Sequence, residues 1–372
     1  MKNEDLIRKE CQDKISALIE CLREREIEAA VFFDHANITY FSGLRLIRWS
    51  DYVLCIHIEG KLILVASRLD YERVKRDSWI ENIVCFRDDT PDYLSVLGEK
   101  LGVSSGRIGV DPGALTHHQA NYLKRLCGNG QELFSLEDEL FELKSVKSES
   151  ELTAIRRAAA IADKAMDEAI KKAVSEKGVT EREISNYAVY MMRLAGAERE
   201  SFEPFLMSGE NGWVPQRFST DKKLREGELN LFDMGAVYRG YCSDLTRTFS
   251  LGGLTRERRK AFEVAYKAQQ SAIEAIRPGK TGGEIDNVAR VLIEKEGFGR
   301  YFPHLTGHGI GVSLHERPLL DRGVDTVLKP NMVVTVEPGI YVPGVGAARL
   351  EDMVLVTETG CEVLTNMKRD LI

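Results

Sequence analysis

Residues 3–26 place Leu6, Ile7, Ile15, Leu18, Ile19 and Leu22 at helical spacing between charged positions, which predicts an amphipathic opening helix. Short apolar or β-branched runs follow at 29–33, 52–58, 62–66, 83–86 and 107–110, separated by stretches rich in Lys, Glu and Leu. This alternation predicts an α/β domain over residues 1–145, with Asp111-Pro112-Gly113 as a turn closing one strand. The pattern then changes. Charged, alanine-rich sequence through Lys172 carries long helical periodicity and contains no glycine before Gly178. A second helix is expected over 180–195, opened by a capping box in Thr180-Glu181-Arg182-Glu183. Beyond Ser201 the runs 228–235, 241–250, 332–341 and 351–357 read as strands, interrupted by a helix over 255–276. Residues 146–372 are therefore expected to form an α+β domain with mainly antiparallel strands. There is no tandem repeat of 20–50 residues and no low-complexity tract.

Composition agrees with two folded domains: 372 residues, 43% hydrophobic and 29% charged. The formal charge of −7 argues against nucleic-acid and anionic-membrane partners, which need a basic face. Seven cysteines (Cys11, Cys21, Cys55, Cys85, Cys127, Cys242, Cys361) are spread along the chain without a C-x-x-C pair. That spread reads as reduced thiols in a cytoplasmic protein. The charged N-terminus lacks the apolar stretch of a secretory signal, and no apolar run approaches the ~20 residues that span a bilayer.

Candidate chemistry concentrates in the second half. The strand-like strings around Asp233 and Asp244 join through Tyr238-Arg239-Gly240, and a hairpin centred between Tyr238 and Arg239 opposes the two aspartates directly. Directly opposed residues have Cβ atoms about 4.5–5.5 Å apart. Two carboxylates about 4 Å apart repel by roughly 4 kcal/mol at an effective dielectric near 20. Either a proton or cation sits between them, or both face water at a hairpin edge. Three of the seven histidines, His304, His308 and His315, fall within twelve residues. His308 lies in Gly307-His308-Gly309-Ile310-Gly311, which lacks the lysine of a phosphate loop and the spacing of a dinucleotide fingerprint. It is either a ligand or a structural histidine. Glu337 and Glu351 each adjoin an apolar strand run, where a charge needs a partner unless it faces solvent at the strand end. Taken jointly, four carboxylates and one imidazole suit a pair of hard divalent ions such as Mn²⁺. A water between two such ions falls from a pKa of ~15.7 towards neutrality and becomes a hydroxide nucleophile.

These strings, with Asp34-His35-Ala36-Asn37-Ile38-Thr39-Tyr40-Phe41-Ser42-Gly43, Ser208-Gly209-Glu210-Asn211-Gly212, Glu337-Pro338-Gly339 and Arg349-x-Glu351, give the whole chain a family likeness. It resembles the prolidase and Xaa-Pro aminopeptidase branch of the dinuclear metallopeptidase superfamily that also holds methionine aminopeptidase and creatinase. The resemblance implies a creatinase/prolidase-like N-terminal domain (1–145) and a "pita-bread" catalytic domain (146–372). It implies Asp233, Asp244, His308, Glu337 and Glu351 as ligands of two divalent ions, Mn²⁺ first, with Co²⁺, Zn²⁺ or Fe²⁺ as alternatives. By the same resemblance His315 would bond the scissile carbonyl, Glu337 would also shuttle the proton, His304 would lie next to ligands or substrate, and Arg349 would brace a ligand aspartate. The family commonly forms homodimers in which the region of Arg48 and Trp49 reaches the partner's site, so either could contact a substrate carboxylate, as could Arg317. One departure is Gln216, where the family's peptidases usually carry histidine. The implied activity is hydrolysis of the amide bond before proline in a small peptide. A same-fold hydrolase of a small non-peptide amide or cyclic amidine is the first rival, and a non-catalytic peptide-binding module the second.

Overall fold

The computed structural model describes residues 3–86, 93–101, 106–127 and 133–370. The chain divides into two compact units, Met1–Lys144 and Ser145–Ile372. Among the described residues no helix is long and apolar enough to cross a membrane.

The first unit is built on a six-stranded mixed sheet in the order Ile83–Phe86, Leu62–Ser67, Tyr52–His57, Ala29–Phe32, Ile108–Val110, Leu133–Ser135. The three central strands pair antiparallel and the outer ones parallel. Tyr52–His57 is buried at every position, which explains why its sequence is a continuous apolar run without alternation. The opening helix Asn3–Glu24 buries Ile15, Leu18, Ile19 and Leu22. The Asp34–Gly43 string is a helix, His35–Ser42, between the first two strands, as the α/β alternation predicts. Its signals are local: Asp34 accepts from Asn37 N at 2.7 Å, and Gly43 ends the helix at φ 68°. Arg48 and Trp49 follow it, both exposed.

In the second unit two helix pairs, Glu149–Ser175 with Glu181–Leu194 and Arg256–Ala275 with Gly282–Lys295, flank the sheets. Capping boxes at Ser148/Glu151, Thr180/Glu183 and Thr281/Glu284 start three of the four. Every described strand pair of this unit is antiparallel. The fold is an α/β N-terminal domain followed by a pita-bread α+β domain.

Two expectations are corrected. The hairpin is centred one residue later than expected. Arg239 and Gly240 occupy the turn with φ of 50° and 79°, the signature of a type I′ turn, and Tyr238 pairs with Tyr241. Asp233 therefore faces Thr246, and Asp244 lies two residues along, diagonal to Asp233 on the same face. The expected strand 332–341 is two strands in different sheets: Val333–Val336 pairs with Asp352–Val356, and Gly339–Val342 with Gly346–Arg349. Pro338 has no N–H to continue the ladder, while Glu337 N turns to Thr306 O at 2.8 Å.

Behind these strands Arg247, fully buried, ties the C-terminal segment to the sheet. It donates to Thr246 O (2.9 Å), Glu351 O (2.6 Å), Met367 O (2.7 Å) and Asp352 Oδ1 (2.7 Å). Asp352, with no exposure, also accepts from Thr365, Gln269 and Arg369. Truncating Arg247 leaves several buried carbonyls without their donor and leaves Asp352 with only the partly exposed Arg369 as its cation. Arg247→Leu is expected to lower the unfolding free energy by about 3 kcal/mol or more in urea titrations. Arg182→Leu, at an exposed pair with Asp221, is expected to leave the urea midpoint where it is.

Candidate metal centre

Five strand segments converge on one buried cluster. Asp233 sits within Asn230–Met234, Asp244 between Tyr241–Cys242 and Leu245–Phe249, and His308 within Gly307–Gly309. Glu337 directly follows Val333–Val336, and Glu351 stands between Gly346–Arg349 and Asp352–Val356. The glycines flanking His308 are required by packing. A Cβ at Gly307 would lie 1.9 Å from Thr335 O, and one at Gly309 2.5 Å from Arg317 O. Asp233, Asp244, His308 and Glu351 are between 1% and 6% exposed, so each must find a partner inside the protein.

His308 Nδ1 lies 2.9 Å from Gly309 O. A carbonyl only accepts, so Nδ1 carries hydrogen and Nε2 points into the cluster, 3.3 Å from Glu337 Oε1 and 3.7 Å from Asp244 Oδ2. Arg349 is the cluster's cation. It donates to Asp233 Oδ2, to Thr246 Oγ1 (3.1 Å) and to Tyr341 OH (2.7 Å). Thr246 passes its own hydrogen to Glu351 Oε2 at 2.8 Å. Tyr341 lies 2.9 Å from His304 Nε2, while His304 Nδ1 donates to Leu305 O at 2.7 Å. Tyr341 therefore donates to His304.

What these bonds leave over indicates a cation. Asp233 Oδ1, Asp244 Oδ1 and Glu351 Oε1 are buried with no hydrogen-bond partner. Ligand atoms of Asp244, His308 and Glu351 lie within 4.8 Å of one another. Burial and neighbouring carboxylates push the acids of Asp244 and Glu351 well up, and burial, opposed by Arg349, lifts Asp233 to about 6. Glu337 goes the other way: burial raises it, but the His308 hydrogen bond and charge outweigh burial and bring it to about 2. Without a cation part of this cluster would have to hold protons. Three buried carboxylate oxygens without partners, with an imidazole nitrogen grouped with the Asp244 and Glu351 carboxylates, are a donor set that fits hard divalent ions.

The cluster forms the floor of a cleft of about 620 Å³. Phe202, Phe205, Phe218 and Leu314 supply apolar walls, and Gln216, Arg217 and Glu203 add polar groups. His315 is exposed to this cleft with its ring centroid 4.2 Å from that of His308. Burial and the His308 charge lower its basicity. His304 does not line the cleft; its contact is with Tyr341. Arg317 lies exposed on Glu316–Leu320 away from the lining, and Arg48 and Trp49 belong to the other unit. Sequence reasoning missed Thr246, Tyr341, Arg217 and the phenylalanine walls. The available signals were the Thr246-x-Thr248 alternation beside an aspartate and the paired Phe202 and Phe205.

Residues 153–358 match the model of metallopeptidase family M24, and residues 14–146 that of the creatinase/prolidase N-terminal domain. A protein of Pyrococcus furiosus named Xaa-Pro dipeptidase is 33% identical over 97% of this chain and 100% of its own length. Among solved structures, the prolidase from Pyrococcus horikoshii superposes with a TM-score of 0.88 at 33% identity, covering 97% of this chain and all of the other. An X-Pro aminopeptidase from Thermotoga maritima gives 0.86 at 29% identity, over 95% and 98% of the two chains. With a catalytic-domain match over more than half its length, the chain belongs to metallopeptidase family M24.

Proposed function

We propose that this enzyme hydrolyses the amide bond preceding proline in small peptides. In this reading Asp233, Asp244, His308, Glu337 and Glu351 hold two divalent cations, Mn²⁺ by preference for an oxygen-rich donor set. The observation that carries the proposal is that Asp233, Asp244 and Glu351 each bury one oxygen without a hydrogen-bond partner, where ligand atoms of Asp244, His308 and Glu351 lie within 4.8 Å of one another. Bound there, the cations would supply Lewis acidity and a water acidified towards neutral pH.

The chain's own residues do the rest. Arg349 fixes Asp233 and, through Thr246, Glu351, so that each keeps one oxygen free for the cluster. His308 is locked by Gly309 O with Nε2 inward. Glu337 is the proton carrier, accepting from the nucleophilic water and delivering to the leaving nitrogen. His315, exposed in the cleft, donates to the scissile carbonyl oxygen as negative charge develops there. The apolar walls of Phe202, Phe205, Phe218 and Leu314 suit a pyrrolidine ring. Gln216 lines the same cleft and contributes hydrogen bonds without titrating near neutral pH. Gln216 also favours the second reading, a small non-peptide amide as substrate. Cytoplasmic location and a homodimer complete the proposal, on the reduced-thiol composition and the family resemblance.

A metal-supplemented panel of Xaa-Pro dipeptides, longer Xaa-Pro peptides and small cyclic or guanidino amides separates the readings. Turnover of Xaa-Pro substrates is expected, and turnover of the small amides alone would replace the first reading with the second. Metal analysis should give up to two Mn²⁺ per chain, and Asp244→Ala should lose metal and at least about 10²-fold in kcat/KM together. An Asp244→Ala protein that keeps both removes this residue from the site.

The pH dependence of stability gives an independent reading. Asp233, Asp244 and Glu351 have folded-state pKa values above their ordinary ones, so the folded, chelator-treated protein holds protons that the unfolded chain releases. Their contribution is present below the ordinary carboxylate range and is lost as pH rises through each folded-state value, which for Asp233 is about 6. The opposite shift of Glu337 acts only between its ordinary 4.5 and about 2, outside that window. Urea midpoints of chelated protein should therefore fall from pH 5 to pH 7. With saturating Mn²⁺ the trend should reverse, because cations compete with those protons.

A further inference from the structure

The proposed centre accounts for the carboxylates on the floor of the cleft but not for the cation at its side. Two guanidinium groups line this space, Arg217 and Arg349. Arg349 is 4% exposed and committed to Asp233, Tyr341 and Thr246. Arg217 is exposed, and among the described residues it has neither a hydrogen-bond nor an ion-pair partner. Glu203 lines the same cleft without coming within the 4.0 Å of an ion pair to it.

Arg217 is nevertheless carried on a pinned segment. Glu181, with no exposure, gathers Ser208 N (2.8 Å), Ser208 Oγ (2.6 Å), Thr220 N (3.0 Å) and Thr220 Oγ1 (2.6 Å) into one carboxylate. It thereby ties together the two ends of the loop that bears Arg217. Two residues beyond Arg217, buried Ser219 accepts from Leu206 N at 2.8 Å, fixing the loop to strand Phe205–Ser208, whose Phe205 is a wall of the cleft. An unpaired guanidinium held beside an apolar wall offers a planar fork to one kind of partner above others, a carboxylate. A substrate that ends one residue after the scissile bond brings a carboxylate next to its proline ring; a longer peptide or an amide does not.

We propose that Arg217 binds the C-terminal carboxylate of the substrate and so makes the enzyme a dipeptidase that selects free Xaa-Pro over longer chains. This rests on the Xaa-Pro reading of the same cleft. Arg317, the other arginine of this unit considered from sequence for a substrate carboxylate, is outside its lining.

The test compares Ala-Pro with its C-terminal amide on the Mn²⁺-loaded enzyme. Wild type should prefer the free acid in kcat/KM, and Arg217→Gln should reduce that preference by about 10- to 100-fold, the range for losing a hydrogen bond to a charged group. The loss should appear in KM more than in kcat, and Arg217→Lys should restore part of it. Equal losses on acid and amide, or an unchanged preference, overturn the assignment. Calorimetric titration with an Ala-Pro analogue whose scissile amide is reduced to a methyleneamine, against the amide of that analogue, reads the same discrimination without turnover. If wild type cleaves neither substrate, the Xaa-Pro reading fails, and the titration alone decides Arg217: discrimination lost in Arg217→Gln supports it, and no discrimination in wild type removes it.

Discussion

Burying like charges together is the constraint around which the second unit is organised. Asp233, Asp244, Glu337 and Glu351 meet in one water-poor cluster with Arg349 as its guanidinium. A carboxylate taken out of water costs several kcal/mol unless its lone pairs are used. The surrounding structure uses one oxygen each of Asp233 and Glu351 and leaves Asp233 Oδ1, Asp244 Oδ1 and Glu351 Oε1 without a hydrogen-bond partner. Arg349 reaches Asp233 and Thr246 at once, Thr246 hands a hydrogen to Glu351, and His308 covers Glu337. A lysine could not replace that arginine, since one compact ammonium cannot address an aspartate, a threonine and a tyrosine in three fixed directions. Arg247 repeats the device one layer behind, holding the backbone carbonyls of Thr246 and Glu351, the two residues whose side chains meet at 2.8 Å.

Local features of this arrangement were legible in the sequence wherever the physics was local. The helical spacing of residues 3–26 gives Asn3–Glu24, and the Thr180/Glu183 box opens Glu181–Leu194. Carboxylates beside apolar strand runs pointed to Asp233, Asp244, Glu337 and Glu351 because an acid there needs a partner. What failed was register and strand termination. Placing the turn one residue early opposed Asp233 to Asp244, whereas the positive-φ pair Arg239-Gly240 opposes it to Thr246. The shift moves the pairing by two residues, which in a period-two strand keeps both aspartates on one face, so the inference survived the error in geometry. Helix Gly282–Lys295 is hard to see in the sequence because two glycines open it, a composition that disfavours helix. The structure supplies their reason: a Cβ at Gly282 would lie 2.0 Å from Leu319 O, a contact no local pattern encodes.

Substrate-facing residues were the least legible, for the same reason. Arg48, Arg217 and Arg317 have different neighbours, and none of these marks one arginine as a substrate contact. That Arg217 lines the cleft depends on how Glu181 gathers Ser208, Asn211 and Thr220 across tens of residues, a closure set by tertiary hydrogen bonds. Tyr341 was invisible likewise. Nothing around it in sequence says that its hydroxyl will bridge Arg349 and His304.

Charge balance bears on how many cations the proposed centre holds. With His308 neutral, as a metal-ligating imidazole must be, four carboxylates against one guanidinium leave three uncompensated negative charges, too many for a buried cluster. The shifts of Asp244 and Glu351 show how the protein responds with protons alone. One divalent cation would leave a net negative charge and, with one position filled, still strand inward oxygens among Asp233 Oδ1, Asp244 Oδ1 and Glu351 Oε1. Two would carry the centre to a net positive charge of one, which suits a site that must draw in a hydroxide and stabilise an oxyanion. A second positive charge in the cleft, Arg217, extends that logic to the far end of the substrate. It lies outside the cluster's hydrogen-bond network, so it adds attraction for a carboxylate without competing for the oxygens that hold the metal.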